Sequence, residues 1–296
     1  MRNWRKTDAT RATHDADKTI FHLPQIPRLA NPRTAVRQAV ITAIVLLSII
    51  GLGMLVQDVA CDCDFTRTGL APNSDYLFGT DWMGRDIFTR TFAGLSTSIL
   101  IGVIASLVSA VIAVVLGVVA AIGPKWVDAA ITWLIDLVLG IPHLLLLILI
   151  SIALGRGFWG VAIGVAVTHW PSLARVVRAE AMQVRESIYV AQAHALGRNP
   201  WQVTVTHYWP ALAPQVMVGA VLQFPHAIMH EASVTFLGFG LPPDSAAIGV
   251  ILSESVGYLS AGMWWAALFP GLALLAVVLI FDAFARAVRA LSGGGR

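Results

Sequence analysis

The chain has 296 residues, of which 57% are hydrophobic and 12% are charged, and its formal net charge is +3. Soluble domains are about 45–50% apolar and about 25% charged, so this chain carries more apolar surface than a soluble fold of its size can bury. The composition excludes a cytosolic enzyme, a disordered chain and a disulfide scaffold. It predicts an all-α membrane protein that crosses the bilayer several times.

The chain begins with a polar, basic segment. Residues 1–37 carry eight Arg or Lys against three Asp, and no apolar run occurs before position 39. Because a signal peptide needs such a run, residues 1–35 are predicted to be a retained N-terminal tail. Segments rich in Arg and Lys stay on the cytoplasmic side of a membrane, so we expect the tail in the cytoplasm. The first transmembrane helix is predicted over residues 36–57.

Residues 58–93 have the opposite charge balance, with six Asp against three Arg. We expect this segment on the outer side of the membrane, beyond the first span. It contains Cys61 and Cys63, the two cysteines of the chain. A disulfide between them would close a small, strained ring. Two interpretations stay open, a pair of unremarkable thiols or a soft metal-binding pair.

Residues 94–290 are predicted to form a core with five more transmembrane helices, each near or above the 20 or so residues that a bilayer requires. The apolar segments cover residues 94–122, 128–154, 158–177, 205–236 and 263–288. Six spans return the C terminus to the cytoplasm, in agreement with Arg286, Arg289 and Arg296 near that end. Residues 291–296 are rich in glycine and predict a flexible tail.

The sequence lacks motifs for catalysis. None of the three lysines follows a glycine, so the chain cannot form the Gly-Lys turn with which a P-loop holds ATP. His230 and Glu231 begin a zinc-protease pattern, but Val234 stands where that pattern requires a second histidine. We therefore expect no catalytic residues and no cofactor bound by this chain.

Residues 185–197 contain a run of helix-forming residues that ends at Gly197, a residue suited to a helix C-cap. Asn199 and Pro200 prevent the helix from continuing, and Pro210 follows at the entry to the fifth span. The pattern predicts a short helix on the membrane surface, held between two spans.

This segment resembles the coupling loop of ABC importer permeases, which has the form Glu-Ala-Ala, three residues, Gly and a hydrophobic stretch ending in Pro. Ala193, Leu196, Gly197 and Pro210 fit that spacing, whereas Ala191 stands where the family usually has its glutamate. The resemblance implies that a partner ATPase contacts Tyr189, Ala191, Ala193, Leu196, Gly197 and Pro210.

Two further stretches resemble the dipeptide/oligopeptide/nickel branch of that family. Residues 78–90 contain Gly-Thr-Asp-x-x-Gly-Arg-Asp, and residues 231–243 are similar to the segment that closes the fifth span. The resemblance extends over residues 36–290. It implies the type I ABC importer fold of a second-permease subunit, with six transmembrane helices and a cytoplasmic coupling helix.

The same resemblance implies the partners. Such a permease forms a heterodimer with a second, homologous permease in the bacterial cytoplasmic membrane, with both termini in the cytoplasm. Two separate ATPase subunits bind ATP and Mg, and an extracytoplasmic binding protein delivers the solute. No nucleic acid is expected as a partner.

Asp81, Arg85 and Asp86 precede the second span on the outer side. We expect them either to form a surface ion-pair set that orders an extracytoplasmic cap or to lie in a solvated turn. Since exposed ion pairs contribute only about 0–1 kcal/mol, a structural role is favoured over substrate contact.

Four histidines and one acid at membrane depth are candidates for a substrate path: His143, His169, His226, His230 and Glu231. His226 and His230 are four residues apart, so they share a helix face and are the candidate metal ligands. His169 with Trp170, and His226 with His230, resemble positions in the nickel-importing branch, which implies nickel, free or chelated, as the cargo. A dipeptide or oligopeptide is the alternative cargo, and bonding of each histidine to a neighbouring helix is the alternative role.

A carrier driven by an ion gradient is the runner-up function. Asp136 lies about 12 Å into the third predicted span at helical rise, where it could relay protons together with the histidines. The short surface helix with its Gly and Pro favours the ABC permease.

Overall fold

The structure, a computed structural model, describes residues 32–293. Over that range the chain is helical and contains no strand. The helices are α1 (Pro32–Leu55), α2 (Ile87–Ile122), α3 (Lys125–Gly140), α4 (His143–Ala153), α5 (Gly157–Arg185), α6 (Ile188–Ala195), α7 (Pro200–Val203), α8 (Trp209–Phe236), α9 (Ile248–Tyr258) and α10 (Trp265–Gly293). A π-helical turn, Thr204–Tyr208, joins α7 to α8. Residues 1–31 of the predicted N-terminal tail and residues 294–296 of the predicted C-terminal tail lie outside the described residues.

The number of long apolar helices agrees with a polytopic membrane protein. Five are long and apolar enough to cross a membrane, and a sixth crossing results if α3 and α4 form one bent span. The single-helix spans are Arg33–Leu55, Ile87–Ile122, Gly157–Arg185, Trp201–Phe236 and Trp265–Ser292. The predicted all-α membrane fold is confirmed.

Helix α2 begins at Ile87, whereas the outer segment was predicted to continue to residue 93. The Asp86 carboxylate caps this helix by accepting the backbone N–H groups of Phe88 and Thr89, at 3.2 and 3.1 Å. Such a cap satisfies amides that have no partner within the first turn. The polar motif therefore forms the start of the helix, and Ile87 is already fully buried.

The third span is broken where the sequence predicted one continuous helix over residues 128–154. Helices α3 and α4 meet at an angle of 95°. The break falls at Ile141 and Pro142, since proline has no N–H to donate and clashes with the preceding turn. The bend makes His143 the first residue of α4.

Helix α2 packs along α5 through small residues. Small side chains let two helix backbones approach closely, which is the usual basis of helix association in membranes. At Gly117 an added Cβ would lie 2.9 Å from both the Ala174 oxygen and Val177 Cβ, so glycine is required there. The other small, buried residues of α2 include Ala105, Ser106, Ser109, Ala110, Ala113 and Ala120.

Helix α9 is an element that hydropathy did not predict. Its 11 residues are too few to span a bilayer, so a search for long apolar segments does not detect it. It packs against α8 and α10, and Ser255 donates a hydrogen bond to the Ala266 oxygen at 2.8 Å. At Gly249 a Cβ would lie 2.5 Å from the Ala232 oxygen, so glycine permits the close contact with α8.

Candidate functional site

Three histidines from three different helices meet beside the bend. His143 lies at the start of α4, His169 in the middle of α5 and His230 near the C-terminal end of α8. The ring centres are 4.6 Å apart for His143 and His169, 4.4 Å for His143 and His230, and 5.2 Å for His169 and His230. One ring nitrogen from each residue lies within 4.8 Å of the other two.

The hydrogen bonds around these rings are incomplete. His169 Nδ1 lies 2.9 Å from the Val165 oxygen, so this nitrogen carries the proton and donates it. Its Nε2 is then left with the lone pair when the ring is neutral. His143 Nε2 is buried and has no hydrogen-bond partner among the described residues. The cluster thus offers nitrogen lone pairs that the surrounding protein does not use.

The three rings line a cavity of about 450 Å³ between α5 and α8, here called the histidine cavity. Gln223 belongs to its wall, and its Nε2 donates to the His169 oxygen at 3.4 Å. The Oε1 of Gln223 is buried and unpaired within the described range. The remaining lining residues are Leu139, Thr168, Ser172, Leu173, Val176, Gly219, Leu222 and His226.

A second cavity of about 670 Å³ continues from the first. The two share a wall made by Leu173 and Val176 of α5 and by Gly219 and Leu222 of α8. The second cavity reaches Glu180, Pro210, Pro214, Gln215, Val218, Arg289 and Ser292. The two cavities therefore lie next to each other along α5 and α8, from the histidine cluster to the end of the bundle at which Arg289 lies, and the pair is here called the passage.

The histidines that lie together in the structure are not the pair that the sequence predicted. His226 lines the histidine cavity but is not one of the three clustered rings, and His143 takes the place beside His230 that the sequence assigned to His226. A helical spacing of four puts two residues on one face, but it cannot show which residue of a neighbouring helix lies closer.

Glu231 lies away from both cavities, contrary to its prediction as a path residue. Its side chain is fully buried, and its Oε1 accepts the Thr235 hydroxyl at 3.0 Å. The Thr235 oxygen in turn accepts the Leu241 N–H at 3.3 Å. The carboxyl therefore links the end of α8 to the loop that follows it.

Asp136 does not join the histidines either. It forms an ion pair with Arg175 of α5, and both side chains are exposed in this chain. A proton relay through Asp136 and the histidine cluster therefore has no contact to support it.

The predicted surface cap is a buried ionic network. Asp81 Oδ2 accepts Arg85 Nε at 2.6 Å and one Arg90 nitrogen at 2.7 Å, and that Arg90 nitrogen also lies 2.8 Å from Glu254 Oε2. A second nitrogen of Arg85 donates to Glu254 Oε2 at 2.8 Å, which completes the network. Arg90 is only 1% exposed. The expected ion pair between Asp81 and Arg85 is present, but its expected place at the surface was wrong, because α9 and α10 cover the motif.

Asp86 stands apart from this network as the α2 cap described above. Arg90 and Glu254 were missed as members of the network. Arg90 is the last residue of the polar motif, and Glu254 is the one charged residue of α9, so both carried a signal in the sequence. What the sequence could not show is that α9 packs over the motif.

The coupling segment forms the predicted short helix, α6. Gly197 has a φ of 73°, and the Arg198 N–H bonds to the Ala193 oxygen at 3.1 Å, which closes the helix as a glycine cap does. Asn199 then caps α7 by accepting the Trp201 N–H at 3.1 Å. The chain thus turns sharply between α6 and the start of the fifth span.

Exposure separates the residues predicted to contact an ATPase. Leu196 is 80% exposed, and Tyr189 and Ala191 are exposed as well. Ala193 is only 4% exposed and packs in the apolar core with Val190. Pro210 is exposed but lines the second cavity. The residues of this segment that are open to a partner are therefore Tyr189 and Ala191 of α6 and Leu196, which follows the end of that helix.

Comparison with known families gives the identity of the fold. Residues 113–290 match the family described as the binding-protein-dependent transport system inner membrane component. The chain belongs to this family. It is therefore an integral inner-membrane permease subunit, non-catalytic itself, of the kind that works with ATPase subunits and a substrate-binding protein. Membership in this family replaces the alternative hypothesis of a carrier driven by an ion gradient.

The permease is similar to several curated proteins. It is 34% identical to a peptide permease protein of Brucella suis biovar 1, over 75% of the permease and 74% of that protein. It is 31% identical to a dipeptide transport system permease protein of Bacillus subtilis, over 73% of the permease and 68% of that protein. Another Brucella suis protein, of a peptide transport system, is 32% identical over 91% of the permease and 95% of its own length.

Among solved structures, the permease resembles a chain of the MetNI methionine ABC transporter in an inward-facing conformation. The TM-score is 0.51 at 19% sequence identity, and the match covers 67% of the permease and 94% of that chain. At this identity the likeness shows the fold, which is that of a type I ABC importer permease.

Proposed function

We propose that the permease is one membrane subunit of an ATP-driven importer of dipeptides or oligopeptides. The observation that carries the proposal is the passage formed by the two cavities along α5 and α8. The volume of each cavity, about 450 and 670 Å³, suits a small organic solute, since ligand cavities of about 300–1,000 Å³ are usual for such molecules. The peptide cargo is supported by the relatives from Brucella suis and Bacillus subtilis, which are named for peptide and dipeptide transport.

In this proposal the permease pairs with a second, homologous permease to form a heterodimer. Two ATPase subunits bind ATP and Mg and press on α6 through Tyr189, Ala191 and Leu196, while Gly197 holds the turn behind that helix. The extracytoplasmic binding protein delivers the peptide at the opposite side. Both termini lie in the cytoplasm, as the excess of Arg and Lys in residues 1–37 suggests.

Nickel, free or chelated, is the second candidate cargo. The observation that favours it is the histidine cluster on the wall of the passage, because neutral imidazole suits nickel and related metals. His226, four residues from His230, also lines the histidine cavity.

The experiment is uptake by the complete importer in proteoliposomes, with its binding protein outside and ATP at the ATPase side. A labelled dipeptide and labelled nickel are offered separately, and a catalytically inactive ATPase is the control. ATP-dependent dipeptide uptake without nickel uptake supports the proposal. Nickel uptake without dipeptide uptake would replace it with the second candidate.

A further inference from the structure

We propose that His143, His169 and His230 form a binding site for one divalent transition-metal ion of the nickel, cobalt and zinc class. The inference goes beyond peptide import, because the site binds the ion whether or not a metal is the cargo. It rests on the geometry of the three rings, on unused lone pairs in their cavity and on the absence of acidic ligands there.

The rings are arranged so that a small movement completes a metal site. A metal held at 2.0–2.1 Å by each imidazole needs ligand nitrogens about 3.3 Å apart in a tetrahedral site. One nitrogen of each ring already lies within 4.8 Å of the others. Rotation of the His side chains covers the remaining distance, and the three rings come from separate helices, so they can close on an ion from three sides.

The hydrogen bond of His169 has the form found around metal-binding histidines. Such residues donate one ring N–H to a carbonyl or carboxylate, which fixes the orientation of the ring and leaves the other nitrogen for the metal. His169 Nδ1 donates in this way to the Val165 oxygen at 2.9 Å. Its Nε2 is therefore the nitrogen available to the ion.

Two buried acceptors beside the rings lack partners within residues 32–293. They are His143 Nε2 and Gln223 Oε1, both of which belong to residues that line the histidine cavity. Buried polar atoms are nearly always paired, so an unpaired group calls for a ligand, ion or water. A cation between the three rings satisfies the nitrogen of His143 directly.

The ligand set indicates the class of metal. No Asp or Glu of the described chain lines the histidine cavity. Imidazole suits nickel, zinc and copper, whereas magnesium and calcium prefer carboxylate and carbonyl oxygens. Three neutral ligands leave the positive charge of the ion uncompensated and one position open to the cavity. Water or a carboxylate of the cargo can fill that position.

The test uses the complete importer, purified without a polyhistidine tag and stripped of metal with a chelator. Nickel and cobalt salts are titrated by calorimetry, and cobalt binding is followed by its visible absorption. We expect one ion per permease chain at this site and a cobalt spectrum of tetrahedral character. His143→Asn, His169→Ala and His230→Ala should each weaken binding by about tenfold or more, since even supporting residues of metal sites contribute that much.

Two matched variants serve as controls. His207→Ala removes a histidine that lies outside the histidine cavity and should leave the titration unchanged. His226→Ala removes a wall residue outside the three-ring cluster and should weaken binding less than His143→Asn does. If His226→Ala weakens binding as strongly as His230→Ala while His143→Asn has no effect, the assignment of the three ligands is wrong.

A measurement on the unaltered protein tests the site even if the variants fail to fold. Nickel should protect histidines 143, 169 and 230 from modification by diethylpyrocarbonate, as read by mass spectrometry. Equal modification with and without nickel overturns the proposal. Dipeptide uptake by the same preparation keeps the two proposals separate: uptake without metal binding defeats only the metal site, and metal binding without uptake defeats only the peptide importer.

Discussion

Arg90 shows how one buried charge can hold one end of the helix bundle together. It lies between Asp81 and Glu254, at 2.7 and 2.8 Å, and is almost fully buried. Removing one partner of a buried ion pair leaves the others uncompensated, which typically costs about 3–5 kcal/mol. We expect Arg90→Met to lower the thermal unfolding temperature of the detergent-solubilised permease and its yield in the membrane.

The matched control for Arg90→Met is Arg67→Met. Arg67 also pairs with an aspartate, Asp64, but this pair is exposed. Because exposed pairs add little, the unfolding temperature of Arg67→Met should stay close to that of the parent protein. Equal effects of the two substitutions would contradict the structural role given to the buried network.

Gly197 permits a test of the turn behind α6. Its φ of 73° disfavours any residue with a Cβ, by about 1–2 kcal/mol, although no atom lies within 4 Å of the position. Gly197→Val should therefore displace α6 and lower coupled import and cargo-stimulated ATP hydrolysis. Asparagine tolerates this conformation, so Gly197→Asn should retain most of the activity. Full coupling in the Val variant would remove the assignment of α6 as the coupling helix.

At the scale of single residues, the sequence identified the histidines as unusual but not their grouping. Polar residues in a membrane are expensive, which is enough to single them out. The grouping depends on the bend at Pro142, which brings the first residue of α4 beside α5 and α8. The sequence predicted a continuous third span, in which no bend would bring His143 beside α5 and α8.

Two residues of the coupling segment differ in exposure and therefore make different predictions. Leu196 is exposed and Ala193 is buried in the core. In a cysteine-free background, Leu196→Cys should form a cross-link with the ATPase subunit, while Ala193→Cys should not. The measurement is the yield of the cross-linked band after mild oxidation or treatment with a short bifunctional thiol reagent. A cross-link from Ala193→Cys alone would show that the partner contacts this segment at Ala193 and not at Leu196, contrary to the exposure of the two residues.

Hydropathy predicted the long spans because a run of about 20 apolar residues matches the thickness of a bilayer. It did not predict α9 or the bend between α3 and α4. A short apolar helix gives no span signal, and a proline within an apolar run is compatible with a kink or a break. The choice between those outcomes depends on packing against neighbouring helices, which the local sequence does not contain.

The orientation of the whole permease follows from charge and can be tested through its cysteines. Cys63 is exposed, whereas the Cys61 thiol donates to the Asp244 oxygen at 3.2 Å. If residues 58–86 lie outside, an impermeant thiol reagent should label Cys63 in intact cells, and faster than Cys61. Leu196→Cys in a cysteine-free background should react only after lysis. The reverse pattern would invert the topology.

The passage along α5 and α8 is the central claim for the whole molecule, and Gly219 tests it most directly. Gly219 lies where the two cavities meet, facing Leu173. A Cβ at this position would lie too close to Leu173 Cδ1, so the side chain of Gly219→Leu displaces the end of Leu173 and occupies the junction. Gly51→Leu makes the same change on α1, where no atom lies within 4 Å of an added Cβ.

The decisive measurement is ATP-dependent uptake of labelled dipeptide by the reconstituted importer carrying Gly219→Leu or Gly51→Leu. We expect Gly219→Leu to reduce uptake to near the level seen without ATP, with assembly of the complex and basal ATP hydrolysis preserved. Gly51→Leu should import at the parental rate. Parental uptake by Gly219→Leu would contradict the account, because the cargo would then cross the membrane by another route.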